Sequence, residues 1–278
     1  MCGIAGYFGT KNLENDVITK TLAVLLRRGP DYQKYKKYSI DDFKSLHFFH
    51  TRLSIIDLDP RSNQPLEDSL FSLVFNGELY NYLEIKKDLE SKGIKFLTLS
   101  DTEVILKGYQ VYGKDLFNTM EGMWALCIYD KKKKEIVISR DKFSEKPLYY
   151  YISKEGFYFS SDVKVIKILS KDSFAFNNKL LISGLVCGYK SRYKKLEETF
   201  FQNIKNLPSG HFAVINLLFD FSIKKYWAPN TKTNKNLKED EIIFKAKKLF
   251  FNAIKIRLRS DVPLAFCLSG GIDSGSLF

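Results

Sequence analysis

The 278-residue sequence lacks the features that identify membrane, secreted and metal-binding proteins. No apolar run approaches the roughly 18 residues that a membrane-spanning helix needs. The N-terminus has no basic segment followed by an apolar stretch, so it does not resemble a signal peptide, and a cytoplasmic location without membrane contact is expected. Cysteine is scarce, with four residues far apart and no CxxC pair, so neither a disulfide framework nor a metal site is expected.

Acidic residues are in the minority, with 32 aspartates and glutamates against 44 lysines and arginines and a net charge of +12. Such an excess is typical of proteins that bind nucleic acids or acidic lipids. The lysines are dispersed, however, and the densest run, 131–134, separates two segments of alternating apolar residues. We interpret that run as an exposed hairpin turn, and no nucleic acid partner is expected.

Three of the four cysteines are expected to be small, buried apolar residues. Cys127 and Cys267 lie in the apolar runs 123–129 and 263–268, and Cys187 lies in the segment LVCGYK.

Cys2 differs because it becomes the first residue if the initiator methionine is removed, and its small side chain favours removal. The free α-amino group then has a reference pKa of about 7.7–8.0 and accepts the thiol proton directly or through a water. Such a nucleophile needs no histidine, and the sequence contains only three. Gly3 and Gly6 are interpreted as positions where the backbone passes close to a ligand. Considered alone, a cysteine at residue 2 is more often one that merely follows the start codon, and it is the neighbouring motifs that favour a nucleophile.

The spacing of apolar residues predicts short strands and amphipathic helices, with antiparallel hairpins over 123–129, 135–139, 148–152 and 157–160. A strand at 73–75 is predicted to run into a turn at Asn76 and Gly77. Ser100 followed by Glu103 fits a capping box at the start of a helix. Strand clusters set apart from helices indicate an α+β layered domain.

Composition changes near Pro229, after which a polar stretch is interpreted as a linker. A helix follows it, and a strand at 263–268 leads into SGGIDS. The predicted division is therefore a first domain at 1–228, a linker at 229–240 and the start of a second domain at 241–278.

Six motifs occur together and in order: MCGIAGYFG, RRGPD (27–31), RLSIIDL (52–58), FNGELYN (75–81), SDTEVIL (100–106) and RDKFSEKPLYY (140–150). Together they closely resemble the glutaminase domain of class II amidotransferases, which have an N-terminal nucleophile, specifically the asparagine synthetase type. SGGIDS (269–274) extends the resemblance into the synthetase domain. The resemblance implies an α+β fold, a four-layer α/β/β/α sandwich of two antiparallel sheets, followed by the truncated beginning of an α/β nucleotide-binding domain.

The resemblance also implies roles for individual residues. Asn76 and Gly77 would form the oxyanion hole, where the loss of one donor costs about 100- to 1000-fold in rate. Arg52 would bind the α-carboxylate of glutamine through its planar fork, and Asp101 and Glu78 would receive the α-ammonium. The backbone of the following residues would line the same pocket: Leu53, Ser54, Ile55 and Ile56.

The end of the chain resembles the pyrophosphate loop of ATP-dependent, AMP-forming synthetases, whose glycines let main-chain N–H groups approach a phosphate. The implied ATP-binding residues are Leu268, Ser269, Gly270, Gly271, Asp273 and Ser274. The chain stops four residues after Ser274, so a truncated product limited to glutamine hydrolysis is expected. One departure from the family is Ser144, where glycine is usual, and its Cβ is expected to affect a turn near the domain interface.

The implied function is glutamine-dependent asparagine synthesis. Cys2 would hydrolyse glutamine, and the ammonia would react with aspartate activated by ATP, giving asparagine, glutamate, AMP and pyrophosphate. Hydrolysis would need no cofactor, whereas the full-length synthetase would need ATP and Mg²⁺; a homodimer is compatible with the resemblance. Two alternatives stay open: an acceptor such as a uronic acid of a surface polysaccharide, or a non-catalytic glutamine-binding module.

Overall fold

The computed structural model describes residues 1–188, 197–233 and 238–278, and within them twelve strands form two six-stranded sheets. The strands are β1 (Gly3–Gly9), β2 (Tyr32–Ser39), β3 (Ser45–Arg52), β4 (Leu66–Glu67), β5 (Phe71–Leu79), β6 (Gly122–Asp130), β7 (Glu135–Arg140), β8 (Tyr149–Ser153), β9 (Gly156–Ser160), β10 (Lys205–Asn206), β11 (His211–Ile215) and β12 (Phe221–Lys225). Sheet 1 has the order β10-β8-β9-β1-β3-β2, and sheet 2 has the order β12-β11-β7-β6-β5-β4. Neighbouring strands are antiparallel in both sheets.

The described residues also form eight α-helices: α1 (Asn15–Leu26), α2 (Tyr82–Ser91), α3 (Asp101–Tyr112), α4 (Leu116–Thr119), α5 (Val163–Ser170), α6 (Asn178–Cys187), α7 (Glu239–Arg257) and α8 (Ile272–Leu277). The helices α1 and α5 cover the outer face of sheet 1, and α2, α3 and α4 cover the outer face of sheet 2. No helix among the described residues is both long and apolar enough to span a bilayer.

An apolar cluster between the two sheets completes the four layers. Strand β6 shows why its sequence is apolar throughout: Ala125 and Cys127 face the inter-sheet cluster, whereas Trp124 and Leu126 face the cluster under the helices. Successive strand residues point to opposite faces, and both faces of this strand are buried. The predicted α/β/β/α sandwich of antiparallel sheets is confirmed, and so are the four predicted hairpin strands.

The predicted turn at Asn76 and Gly77 is wrong. Both residues lie inside β5, opposite Ala125 and Trp124 of β6. The ladder of hydrogen bonds to β6 outweighs the local turn preference of this pair. Gly77 is needed because a Cβ would collide with the carbonyl oxygen of Met123 on the neighbouring strand.

The glycines beside Cys2 also serve packing. A Cβ at Gly3 would lie 2.6 Å from Thr51 Oγ1, and one at Gly6 would collide with the ring of Phe159. These two glycines in β1 make room for protein atoms rather than for a ligand, so the interpretation drawn from the sequence is corrected.

Of the two hydrogen bonds in the predicted capping box of α3, the structure contains the one to the Ser100 side chain and lacks the one to the Glu103 side chain. Ser100 Oγ accepts the backbone N–H of Glu103 at 3.2 Å, and the helix begins at the next residue, Asp101. The Glu103 carboxylate does not return to Ser100, because it accepts the backbone N–H groups of Leu97 and Thr98.

The strand predicted at 263–268 is absent, since no segment among the described residues pairs with it. A strand requires a hydrogen-bonded neighbour, whatever its sequence. Cys267 in this segment and Cys187 at the end of α6 are exposed, so the prediction that they are buried is wrong, whereas Cys127 is fully buried as predicted.

The predicted linker includes residues 234–237, which lie outside the described residues, and 230–233 form no helix or strand. The division at 228 and 240 therefore stays a prediction. The helix expected after the linker is present as α7, and SGGIDS does lead into a helix, α8.

Ser144 has φ = 59°, in the left-handed region that favours glycine. A residue with a Cβ is less stable there by about 1 kcal/mol, which fits the glycine that the resemblance implies at this position. The Ser144 carbonyl accepts Nη2 of Arg140 at 3.2 Å, a contact that holds the turn in place despite the strain.

Candidate active site

One cavity gathers most of the residues predicted to bind glutamine, and its empty volume is about 480 Å³ including open solvent at the mouth. The predicted residues that line it are Cys2, Arg52, Leu53, Ile55, Ile56, Asn76, Gly77, Glu78 and Asp101. Ser54 is not part of this lining, and its backbone N–H donates to Asp31 Oδ2 at 2.7 Å. The residues predicted to bind ATP, 268–274, lie outside the cavity.

Cys2 is held at the start of β1 by backbone contacts. The N–H of Leu53 donates to Cys2 Sγ at 3.4 Å, and the thiol lies 3.6 Å from the Leu53 carbonyl oxygen. Nε of Arg28, from the RRGPD motif, donates to the carbonyl oxygen of Cys2 at 3.1 Å. Burial raises the pKa of the Cys2 thiol, while the Leu53 hydrogen bond opposes the shift. The thiol therefore needs a base that removes its proton.

An amino group lies next to this thiol. Partial burial lowers the pKa of the Met1 α-amino group, and the positive charges of Lys146 and Arg28 act in the same direction. Met1 itself lines the cavity. Its removal would enlarge the cavity and leave a free amine on Cys2.

None of the three histidines, all of which lie in the described residues, lines the cavity. His47 and His50 are fully buried, and burial lowers their pKa to about 4 and about 3. His211 contacts the backbone carbonyl of Ser209 through Nδ1. The α-amino group is thus better placed than any histidine to serve as the base.

Arg52, the last residue of β3, is 5% exposed, and its guanidinium is held by neutral oxygens. Nη1 donates to Asn63 Oδ1 at 2.8 Å and to the Asp59 carbonyl at 3.2 Å. Nη2 donates to the carbonyls of Ile56 and Asp57. No carboxylate among the described residues pairs with this group. A buried guanidinium without a counter-ion favours an anion in the cavity.

Asp101 and Glu78 supply acid groups to the same cavity. Asp101 is buried at the start of α3, and its Oδ2 accepts the N–H of Leu79 at 2.9 Å. Burial raises the pKa of Asp101 to about 7, and the nearby Glu78 adds to the shift. Burial also raises the pKa of Glu78, against the effect of Lys146. A cation bound here would stabilise the charged form of both carboxyl groups.

Asn76 presents a side-chain amide with unused hydrogen-bonding capacity. The residue is fully buried in β5 and lines the cavity. Its Nδ2 has a long contact of 3.5 Å with Ser161 Oγ, and Oδ1 has no partner among the described residues. Buried amides are normally satisfied, whereas here Oδ1 has no donor and Nδ2, the group that could donate to a ligand, is held only by the long contact.

Sequence analysis missed five residues that line the cavity: Met1, Gln64, Phe75, Thr102 and Lys146. Lys146 is placed there by the loop that follows β7, in which Arg140 Nε donates to the Lys146 carbonyl at 2.7 Å and Asp141 Oδ2 accepts its N–H at 3.0 Å. Lys146 could have been predicted as a cavity residue, because it lies in the motif RDKFSEKPLYY. Gln64 lies in a loop without any such pattern.

The predicted ATP-binding residues run into the first turn of α8, which begins at Ile272, and all of them are exposed except Ser274, which is half-buried. Gly270 has φ = 78°, and the space beside it is open. The hydroxyl groups of Ser269 and Ser274 lie 3.0 Å apart, and Ser274 Oγ donates to the Gly271 carbonyl at 3.1 Å. The open glycine backbone fits a loop that receives a phosphate.

Comparison with known families divides the chain into two matched parts. The profile of the glutamine amidotransferase domain matches residues 1–227. The chain belongs to this family. Residues 245–278 of this amidotransferase match the asparagine synthase family.

Two relatives align with 99% or more of the chain. A Methanocaldococcus jannaschii protein that carries the name of a glutamine-hydrolysing asparagine synthetase is 35% identical, over 100% of this chain and 56% of its own length. Asparagine synthetase 1 of Bacillus subtilis is 32% identical, over 99% of this chain and 43% of its own length. The chain thus spans about half the length of these relatives.

Among solved structures, the glutamine phosphoribosylpyrophosphate amidotransferase of B. subtilis superposes with a TM-score of 0.60. The match covers 82% of this chain and 50% of the other, at 16% sequence identity. At that identity the likeness concerns the fold alone, and it supports the four-layer amidotransferase sandwich.

Proposed function

We propose that this chain hydrolyses glutamine to glutamate and ammonia, with Cys2 as the nucleophile and its own α-amino group as the base. The observation that carries the proposal is the set of charges around Cys2. A buried guanidinium without a carboxylate partner among the described residues, Arg52, lines the same cavity as the carboxyl group of Asp101. Glutamine carries an α-carboxylate and an α-ammonium that match these two groups.

In the first half-reaction the α-amine takes the thiol proton of Cys2, and the sulfur attacks the side-chain amide carbon of glutamine. The carbonyl oxygen becomes an oxyanion that Asn76 Nδ2 and the Gly77 N–H stabilise. The protonated amine then donates its proton to the leaving nitrogen. Ammonia departs, and a γ-glutamyl thioester remains on Cys2.

In the second half-reaction the amine, now neutral, takes a proton from water as the water oxygen attacks the thioester carbon. A second oxyanion forms at the same donors and collapses with loss of the thiolate. The ammonium returns its proton to sulfur, which releases glutamate and restores Cys2. One base therefore serves both halves of the reaction.

We further propose that the complete protein transfers this ammonia to aspartate. Relatives that align with both parts of the chain carry the name asparagine synthetase. The main chain of 269–271 would hold the phosphates of ATP, which activates the acceptor carboxylate when bound, with Mg²⁺ as its counter-ion. The residues described in this cavity are assigned to glutamine hydrolysis only.

The proposal is tested by incubating the chain with glutamine in the absence of ATP. We expect equal amounts of glutamate and ammonia, and intact mass spectrometry should show that Met1 has been removed. A variant with one extra residue inserted before Cys2 serves as the control and should be inactive, because its base is blocked as an amide. Activity of that variant would rule out the α-amine as the base, and an inactive parent chain would refute the proposed hydrolysis.

The pH dependence of KM tests the assignment of Asp101. Its pKa of about 7 means that the carboxyl group is neutral below pH 7 and loses its attraction for the α-ammonium. We therefore expect KM for glutamine to rise by up to about tenfold per pH unit as the pH falls below 7, and to stay level just above it. Asp101→Asn should have a high KM without this dependence. A level KM between pH 5.5 and 8 in the parent chain would contradict the assignment.

A further inference from the structure

The loop after α7 lies against the loop that lines the glutamine cavity. Asp57 donates its backbone N–H to Asp261 Oδ2 at 2.7 Å, and Asp261 donates its own N–H to the Ile55 carbonyl at 2.9 Å. The two hydrogen bonds run in opposite directions between segments about 200 residues apart. They join residues 53–57 to the part of the chain that leads into the predicted ATP loop.

The 53–57 loop needs such support because its backbone is strained. Asp57 has φ = 54°, a conformation that residues with a Cβ adopt only when their surroundings hold them. The carbonyls of Ile56 and Asp57 are also acceptors for Nη2 of Arg52. A shift of this loop would therefore move the oxygens that orient the guanidinium.

Arg259 joins the Asp261 loop to α2 and to Tyr80, which precedes that helix. Its two terminal nitrogens donate to the two carboxylate oxygens of Glu84 at 2.6 Å each, and Nη1 also donates to the Tyr80 carbonyl. A bidentate pair of this kind fixes orientation as well as distance. The loop that carries Asp261 therefore has a second contact with the first 227 residues, two positions before Asp261.

We propose that Asp261 is a positioning residue for glutamine binding, which acts through the 53–57 loop on Arg52. Because the role of Arg52 belongs to the proposed function, the inference rests on that function. Asp261 does not line the cavity, so it acts on affinity rather than on the bond-breaking steps. The same two hydrogen bonds connect the segment before the predicted ATP loop to the loop that lines the glutamine site.

The test is the affinity for glutamine, measured by calorimetry in a Cys2→Ala background, where glutamine is not consumed. Addition of Asp261→Ala should weaken binding by about tenfold or more. Asp261→Asn keeps an oxygen that accepts the Asp57 N–H, so it should recover affinity to within about threefold. In the chain with Cys2 intact, Asp261→Ala should raise KM by the same factor and leave kcat within about threefold.

Asp240→Ala is the matched control, because Asp240 is an exposed acid in the first turn of α7, away from the cavity. It should change neither binding nor KM. Equal affinities of the Asp261→Ala and parent chains would overturn the inference, as would a loss that Asp261→Asn does not recover. Hydrolysis by the parent chain is scored separately, so its absence would refute the proposed function while the binding comparison still tests Asp261.

Discussion

Replacement of Cys2 by alanine is expected to lower kcat for glutamine hydrolysis by at least about 10⁴-fold. Alanine removes the sulfur that forms the thioester, and no other group among the described cavity residues is placed to replace it. The α-amine and the oxyanion donors would remain, but they would assist only a direct attack by water. Release of glutamate from saturating glutamine, followed over hours, measures the residual rate.

Glutamine binding by the Cys2→Ala chain shows whether the variant is folded and its binding site intact. The Cys2→Ala chain should still bind glutamine, since Arg52 and Asp101 are unchanged. Cys187→Ala is the control, because this thiol is exposed at the end of α6 and its loss should leave kcat unchanged. If Cys2→Ala retained a tenth of the parent activity, Cys2 would not be the nucleophile.

Replacement of Asn76 by alanine is expected to lower kcat by about 100- to 1000-fold. The amide would donate to the oxyanion and makes little contact with the ground-state protein, where its Nδ2 lies 3.5 Å from Ser161 Oγ. The interaction is therefore made chiefly in the transition state, so KM for glutamine should change by less than about threefold. Steady-state kinetics on the purified variant separate the two constants.

Stability distinguishes this catalytic effect from damage to the fold. Asn76 Oδ1 has no partner among the described residues, so its removal breaks no strong hydrogen bond. We expect the unfolding midpoint of Asn76→Ala to stay within about 4 °C of the parent value. Asn216→Ala, in the exposed turn before β12, is the control and should be fully active. A kcat within tenfold of the parent value would remove Asn76 from the oxyanion hole.

Much of the candidate site was predictable from the sequence because six motifs occur together and in order and so resemble a known family. The roles of Arg52, Asp101 and Cys2 were implied by that resemblance, and each of them also has a chemical reason. The structure brings these motifs together from β1, β3, β5 and α3. Gln64 lies outside every motif and was missed, although its side chain accepts the Phe75 N–H at 2.6 Å and contacts Thr102 Oγ1. Phe75 lies in the motif FNGELYN but has no polar side chain that would have marked it.

Two of the errors in the fold have a common cause. Asn76 and Gly77 prefer turns when considered alone, but pairing with β6 extends the strand through them. Cys267 lies in a run that resembles a buried strand, yet no described segment pairs with it. Local preference is weaker than the hydrogen bonds and burial that a distant segment supplies or fails to supply.

The sequence by itself determined the family, the layered α+β architecture and the polar residues proposed for catalysis, because periodicity and motifs are local properties of the chain. Only the tertiary structure decided which residues share the cavity, how the pKa of Asp101 is raised, and that Asp261 supports the glutamine loop. These features depend on burial and on contacts between segments that are far apart in sequence. Both arise only when the chain has folded, because folding removes water from the Asp101 carboxyl group and brings distant segments together.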